Sequence, residues 1–309
     1  LIPSDGQGDP TGITLALAKS AKRYGAQIHE NCLVTGVVQD KTGTWRIDTP
    51  EGSIICEMVV NCAGIWAPQL ARISSVSVPL HAVEHMYIVT EPMDGLHRDL
   101  PSVRDYDSSI YFKEDAGKLI MGGNEPNPKL WPAAKIPDEF EFTLLPEDWD
   151  HFEIFMDQAL STVPSLNEIG IRQLVVGPES FTPDGKYLLG EVPDLRGYFV
   201  AAGFNSIGIA SAGGAGLALA QWIIDGEPTI DLSDVDIRRF HNMASNRRFL
   251  RERIPEIVAT SFAVQFPYRQ LVSARNVRQS PVHQRLSERG AHFDQAVGWE
   301  RPEDFGRLE

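Results

Sequence analysis

The segment that most constrains the fold is an apolar strand that runs directly into a glycine-rich helix. Residues 198–203 are apolar, residues 204–207 form a short connection, and the run 208–224 is rich in glycine and alanine, with Gly226 and Pro228 as its stop. The first backbone N–H groups of such a helix lack intrahelical partners and favour electron-rich atoms. The pattern predicts a strand-helix unit with a ligand at its turn; the alternative is that the glycines only allow close helix packing.

A second apolar strand, residues 53–60, ends in the small residues Asn61-Cys62-Ala63-Gly64. Small residues at the end of a buried strand let a cofactor approach the backbone. The alternative is a tight strand-to-helix turn in which Trp66 only fills the core. A Pro183-Asp184-Gly185 turn also precedes a strand in the glycine-rich second half of the chain.

The remaining pattern divides the chain into helix-rich and strand-rich parts. Residues 10–24 read as a helix capped by Asp9, and short strands are expected at 26–29, 33–38 and 45–48. Isolated strands then follow at 86–90, 110–113 and 119–122, with a helix around 149–160. This order predicts an α/β (α+β) protein with two lobes.

Composition excludes several kinds of partner. The 309 residues include 28 Lys and Arg against 42 Asp and Glu, a net charge of −14, which disfavours nucleic acid and anionic membranes. No window approaches 18 apolar residues. The three cysteines form no CxxC pair and predict no metal site, which indicates a reducing compartment, the cytoplasm or an organelle matrix.

Common catalytic motifs are missing from the sequence. Gly6-Gln7-Gly8 with Gly12 resembles a dinucleotide fingerprint, but its last interval is one residue too long and no strand precedes it. The sequence contains no P-loop, GxSxG or HExxH motif. Phosphoryl transfer, serine hydrolysis and zinc proteolysis therefore have no support.

Candidate substrate-binding residues lie in the strand-rich part. His85 and Tyr87 are two residues apart in a predicted strand, so their side chains share one face. Such a pair can hold a small amine or carboxylate, and Tyr111 belongs to a similar strand. The alternative is that these rings are interior packing residues.

Taken together, these stretches resemble the sarcosine and dimethylglycine dehydrogenase family of amino-acid-oxidase-type flavoproteins. The sequences of residues 177–184 and 236–241 look most similar to sarcosine dehydrogenase. The resemblance covers nearly the whole chain. The matching stretches are 5–10, 30–36, 61–67, 85–90, 177–184, 203–208, 236–240 and 298–302.

The resemblance implies a two-lobed FAD enzyme in which an antiparallel-sheet substrate lobe is inserted into an incomplete FAD-binding lobe. The resemblance divides the chain into an FAD-binding lobe (1–72 and 175–230), a substrate lobe (73–174) and a carboxyl-terminal extension (231–309). Implied catalytic residues are His85, Tyr87 and Tyr111. Implied FAD contacts are Asn61, Cys62, Ala63, Gly64, Trp66, Pro183, Asp184, Gly185, Gly203, Phe204, Asn205, Ser206 and Gly208.

The resemblance also implies the reaction. An N-methyl amino acid, either sarcosine, dimethylglycine or a longer compound, gives a hydride to the flavin. The product yields formaldehyde or is captured by tetrahydrofolate in a domain after residue 309, and electrons leave to an electron-transfer flavoprotein or to oxygen. A side chain at Gly203 is expected to fill space that the flavin ring needs.

Two departures from the family pattern accompany the resemblance: the GxGxxG loop is missing, and residues 298–302 lead in the family toward a folate-binding domain that this chain does not contain. The family's GxGxxG loop precedes the region seen here, and the chain has no start methionine, so we expect a fragment of a longer protein, located in the cytoplasm or the mitochondrial matrix. The segment around residues 147–152 is also similar to the regulatory subunit of pyruvate dehydrogenase phosphatase. A non-catalytic regulator and an inactive fragment are therefore the alternatives to an amine dehydrogenase.

Overall fold

A computed structural model describes residue 2 and residues 4–132, 135–263, 269–296 and 298–306. The helices in these ranges are α1 (Pro10–Arg23), α2 (Ala67–Ile73), α3 (Trp149–Thr162), α4 (Gly208–Asp225), α5 (Arg247–Thr260) and α6 (His283–Ser287). The strands are β1 (Gly36–Gln39), β2 (Trp45–Thr49), β3 (Gly52–Cys56), β4 (Val59–Asn61), β5 (His81–Thr90), β6 (Val103–Asp105), β7 (Ile110–Asp115), β8 (Lys118–Gly123), β9 (Ile171–Phe181), β10 (Leu188–Glu191), β11 (Tyr198–Ala202), β12 (His292–Ala296) and β13 (Trp299–Asp304).

The amino-terminal part is a capped helix followed by a small antiparallel meander, β1-β2-β3. Asp9 caps α1 by accepting a hydrogen bond from the backbone N–H of Thr11 at 3.1 Å, as the sequence predicts. The expected strand at 26–29 is wrong. Those residues are exposed and pair with no strand in the described ranges, so neither burial nor a sheet ladder holds them extended.

The second sheet has the order β10-β11-β4 and joins distant parts of the chain. The expected single strand at 53–60 is in fact two strands, since β3 belongs to the meander whereas β4 pairs in parallel with β11. Parallel strands end at the same edge of a sheet. The turn after β4 and the turn that leads from β11 into α4 therefore lie at one edge.

The third sheet is fully antiparallel, with the order β6-β7-β8-β5-β9, and it confirms the antiparallel sheet expected in this part of the chain. One face carries apolar side chains such as Met86 and Met121, which pack with Phe152 and Phe155 of α3. The expected lobe boundary at residue 174 falls inside β9, because the whole of that strand pairs with β5.

The carboxyl-terminal extension packs on the third sheet through α5. Ile254 and Val258 are fully buried against Val83 of β5 and Phe181 of β9. Residues 299–302 lie in the β12-β13 hairpin. Within the described ranges, no helix has both the length and the apolar character needed to cross a bilayer.

Candidate active site

A cleft of about 470 Å³ lies over the face of the third sheet that is turned away from α3. All three implied catalytic residues line it, together with Ser206 from the connection into α4. The lining residues are Pro10, His85, Tyr87, Arg104, Tyr111, Lys113, Asn124, Val175, Gly177, Pro178, Glu179, Ser206 and Phe262.

Strand register explains why these side chains meet. His85 pairs with Gly177, and both Tyr87 and Tyr111 pair with Gly122, so all of them point to the same face of the sheet. The two glycines leave room on that face in different ways. A Cβ atom added at Gly177 would meet no atom within 4 Å, so the space there is open. A Cβ atom added at Gly122 would lie 2.6 Å from the Tyr111 hydroxyl, so the space there is taken by Tyr111.

His85 is the titratable centre of the cleft. Its Nδ1 atom lies 3.7 Å from Oε2 of Glu125, whose side chain is 1% exposed. Burial opposes charge on the imidazole, but the carboxylates of Glu125 and Glu179 outweigh burial and raise the pKa of His85. His85 is therefore suited to take up a proton.

The cleft also contains hydroxyl groups and two cationic side chains. Burial, assisted by the charge of Glu179, raises the pKa of Tyr111, so its phenol stays protonated and can donate a hydrogen bond. Arg104 and Lys113 line the same cleft, and the Arg104 guanidinium lies 4.8 Å from the centre of the Phe262 ring. This wall is suited to a substrate carboxylate.

The wall that Ser206 provides belongs to the connection 203–208. Asn205 and Ser206 both have positive φ angles, 49° and 64°. The Asn205 side chain holds this shape, since it accepts from the backbone N–H of Thr182 at 2.9 Å and donates to the Gly203 carbonyl at 2.6 Å. The Ser206 hydroxyl donates to Glu179, which ties the wall to β9.

Several implied FAD contacts are engaged within the protein instead. The Asn61 amide is fully buried and donates to the Ala67 carbonyl at 2.9 Å and to the Tyr198 hydroxyl at 3.2 Å. The Trp66 indole donates to the Pro137 carbonyl at 3.0 Å. These polar atoms shape the turn after β4.

The implied FAD contacts in the turn 183–185 and at Phe204 are also engaged within the protein. The Asp184 carboxylate forms a two-point ion pair with Arg239, at 2.7 and 2.9 Å. Pro183 is buried, Gly185 is partly buried with a φ of 71°, and Phe204 stacks on Tyr187 at 4.7 Å. In contrast, Cys62, Gly64 and Ser206 are exposed, while Ala63 and Gly208 are partly buried.

The expected reason for glycine at position 203 needs correction. Gly203 is buried with a φ of 66°, and a Cβ atom there would lie 2.8 Å from Cγ2 of Thr182 and 3.5 Å from Cδ2 of Leu80. Glycine is required by the backbone conformation and by internal packing. The side-chain direction does not point toward an open cleft.

Sequence reasoning missed several lining residues. Lys113 could have been found because it is two residues from Tyr111 in β7, and Arg104 pairs directly with Tyr111 in the register. Glu125 follows β8, and its proximity to His85 depends on the pairing of β5 with β8. Phe262 reaches the cleft from beyond α5 and carries no local signal.

Comparison with known proteins defines the class. The sequence profile of the FAD dependent oxidoreductase family matches residues 1–222, and that of the FAD dependent oxidoreductase central domain matches residues 225–280. The chain therefore belongs to the FAD dependent oxidoreductase family.

Within that family the chain is similar to mitochondrial sarcosine dehydrogenase from Mus musculus, with 43% identity over 100% of this chain and 34% of the relative. It is also 38% identical to the mitochondrial pyruvate dehydrogenase phosphatase regulatory subunit of Mus musculus, over 98% of this chain and 35% of the relative. The chain thus spans about a third of the length of these curated relatives.

A solved structure, L-proline dehydrogenase from P. horikoshii, has the same fold. Its TM-score is 0.66 at 24% identity, covering 77% of this chain and 61% of that one. This likeness confirms the two-lobed amino-acid-oxidase-like architecture that the sequence predicts.

FAD is the cofactor of this family, and the described residues fit it at one edge of the second sheet. Helix α4 begins at Gly208 with no side-chain cap, so the N–H groups of its first turn are available to electron-rich atoms. A Cβ atom at Gly213, Gly214 or Gly64 would meet no atom within 4 Å, so a flat ligand can approach the backbone at all three positions.

Proposed function

We propose that this chain supplies the substrate-binding sheet and part of the FAD site of an enzyme that oxidises a small N-methyl amino acid. The observation that carries the proposal is the shared cleft. His85, Tyr87 and Tyr111 on the sheet face the same space as Ser206 on the connection into α4. A substrate in that space lies between candidate binding groups and the edge that fits the cofactor.

FAD, when bound, supplies the two-electron acceptor for a carbon next to the amine nitrogen. The turn 62–64 and the first turns of α4 would hold it. The protein's own residues then have three tasks, which are to bind the carboxylate, to remove the ammonium proton and to keep water away.

Charges in the cleft suit the first two tasks. Arg104 and Lys113 attract the carboxylate of an amino acid, and Glu179 attracts its ammonium group. The amine must be neutral before its lone pair can assist oxidation, so a proton has to leave the nitrogen. His85 accepts that proton, and the protonated phenol of Tyr111 donates a hydrogen bond to the carboxylate.

The test is reduction of the flavin by substrate in the FAD-loaded protein without oxygen. Reduction is measured as the loss of absorbance near 450 nm, roughly the flavin band. We expect sarcosine, dimethylglycine or a longer N-methyl amino acid to reduce the flavin, and glycine, which lacks the methyl group, to fail. The rates at which electron-transfer flavoprotein and oxygen reoxidise the reduced flavin then identify the electron acceptor. We propose that the acceptor is electron-transfer flavoprotein. Bound flavin that no N-methyl amino acid reduces would refute the proposal.

A non-catalytic regulator is the second candidate, favoured by the 38% identity to a phosphatase regulatory subunit. The same experiment separates the two functions. A regulator would keep its flavin oxidised with every amine, or would contain none, and the His85→Ala variant would change nothing in either measurement.

A further inference from the structure

Glu125 is a deeply buried carboxylate next to His85. It follows β8 and is 0% exposed, and neither carboxylate oxygen has a hydrogen-bond partner within the described residues. Its ion pair with His85 spans 3.7 Å, longer than a hydrogen bond. Burying a carboxylate this way costs stability, so the arrangement points to a role at the neighbouring site.

The segment that carries Glu125 is held at one end by the residue before β7 and at the other end by β5. The backbone N–H of Asn124 donates to the Ser109 carbonyl at 3.0 Å, and the backbone N–H of Glu84 donates to the Lys129 carbonyl at 2.8 Å. Both ends of the short stretch 124–129 are therefore fixed. Glu125 cannot reach the substrate, because its oxygens are enclosed, but it can act on His85.

The two nitrogens of His85 have different surroundings. Nδ1 is buried without a hydrogen-bond partner and faces Glu125, whereas the ring itself lines the cleft. Nε2 is consequently the nitrogen that a bound amine can reach. A carboxylate beside Nδ1 favours the tautomer with hydrogen on Nδ1, which leaves the Nε2 lone pair free.

We propose that Glu125 is a positioning residue that holds His85 with Nδ1–H toward the interior and Nε2 ready to accept the proton of the substrate ammonium. This inference rests on the proposed function. The step moves one proton from the amine nitrogen to Nε2 and forms no other bond. The imidazolium that results is paired with Glu125, as a buried carboxylate supports a histidine base in other enzymes.

Other charged and titratable groups also face His85. Glu179 lies on β9, Tyr111 and Lys113 on β7, Arg104 on β6 and Tyr87 on β5 itself. Glu179 differs from Glu125 because it lines the cleft and accepts a hydrogen bond from Ser206. Glu125, in contrast, lies 3.7 Å from Nδ1 and does not line the cleft.

The test compares Glu125→Gln with the matched control Glu84→Gln in the FAD-loaded protein. Glu84 precedes His85 in β5, so its side chain is on the other face of the sheet. Two quantities are measured across pH, namely the rate of flavin reduction by sarcosine or the best N-methyl substrate, and the ring 15N signals of His85 in 15N-histidine-labelled protein. Wild-type protein should show the Nδ1–H tautomer and a rate that rises as His85 deprotonates.

In Glu125→Gln we expect the His85 titration and the acidic limb of the rate profile to move together to lower pH. We also expect the plateau rate to fall about 10- to 1000-fold. Glu84→Gln should match wild type in both measurements. If Glu125→Gln leaves both the His85 titration and the plateau rate unchanged, the positioning role is refuted.

Failure of the proposed function would look different. If no N-methyl amino acid reduces the flavin, the His85 15N titration still reports whether Glu125 sets the tautomer. Should Glu125→Gln fail to fold, Glu125→Asp replaces it: retraction of the carboxylate should give an intermediate shift of the His85 titration, and a wild-type titration would overturn the proposal.

Discussion

Gly177 is a single residue whose missing side chain creates space next to His85. It is part of β9, has no positive φ angle, and a Cβ atom there would meet nothing within 4 Å. Added atoms would therefore enter the cleft without disturbing the core. We therefore expect this residue to limit the size of a ligand that lies against His85.

We expect Gly177→Val to raise the KM for the N-methyl substrate at least roughly tenfold while changing the free energy of unfolding by less than about 1 kcal/mol. Steady-state kinetics and urea unfolding measure the two quantities. Gly177→Ala is the graded control and should lie between wild type and valine. Unchanged KM in both variants would show that the substrate binds elsewhere.

For Gly203 we expect a loss of stability, because a side chain at this position would collide with atoms inside the protein. Gly203→Ala should lower the free energy of unfolding by about 2–4 kcal/mol, from the positive φ angle and the approach to Thr182. The matched control is Gly213→Ala, which adds a methyl group in open space on a helix and should be neutral or stabilising by about 0.5–1 kcal/mol. Thermal or urea unfolding of the apoprotein measures the stability of both variants. Equal stability of Gly203→Ala and Gly213→Ala would contradict this packing explanation.

These two glycines show how far sequence reasoning reaches at the residue scale. Residues 177 and 203 both belong to stretches on which the family resemblance rests. The printed sequence cannot tell that one glycine faces the cleft and the other faces Leu80, since that depends on strand register and on a φ angle of 66°.

At the scale of elements, the turn before β10 is tied to the carboxyl-terminal extension by Asp184 and Arg239. The side chains are 30% and 10% exposed, and two charge-assisted hydrogen bonds join them. A second ion pair in the same region, Lys186 with Asp234, is far more exposed, at 48% and 82%. The two pairs thus provide a matched comparison.

We expect Asp184→Asn to lower the free energy of unfolding by about 1–3 kcal/mol, because the Arg239 guanidinium loses its charged acceptor. Asp234→Asn should change it by less than about 0.5 kcal/mol. Chemical denaturation of both variants provides the measurement. Equal effects would mean that the Asp184 pair does not support the turn.

Elements were predictable where local signals agree. Helix α1 has a cap and a glycine stop, and α4 follows an apolar strand and ends at Gly226 with a φ of 83°, so their limits match the sequence closely. The split of residues 53–60 into β3 and β4 was not predictable, because it depends on pairing with β11, more than 130 residues away in the chain. Local apolar pattern does not encode that partner.

At the scale of the whole molecule, His81 lies where the third sheet meets α5. Burial, with added repulsion from Arg251 and Arg247, lowers its pKa to about 4. In the unfolded chain the same histidine titrates near 6.5. The unfolded state therefore binds this proton first as the pH falls, and stability is lost between about pH 6.5 and 4.

His81→Gln should remove that contribution to the pH dependence. We expect the melting temperature of wild type to fall more steeply than that of the variant between pH 7 and 5, with the two profiles parallel above pH 7.5. Calorimetry or circular dichroism melts across this range provide the data. Parallel curves throughout would show that His81 keeps its ordinary pKa in the folded protein.

Alternation along the third sheet has a consequence for how substrate choice can change. Met86 and Val176 face α3, while their neighbours His85 and Gly177 face the cleft. Adjacent residues of one strand therefore contribute separately to the core and to the cleft. We therefore expect substitutions at the cleft-lining positions Tyr87, Tyr111 and Gly177 to change which ligand is accepted while leaving the packing against α3 intact. New ligand preferences would then be reachable through single substitutions on the cleft face that leave the face packed against α3 unchanged.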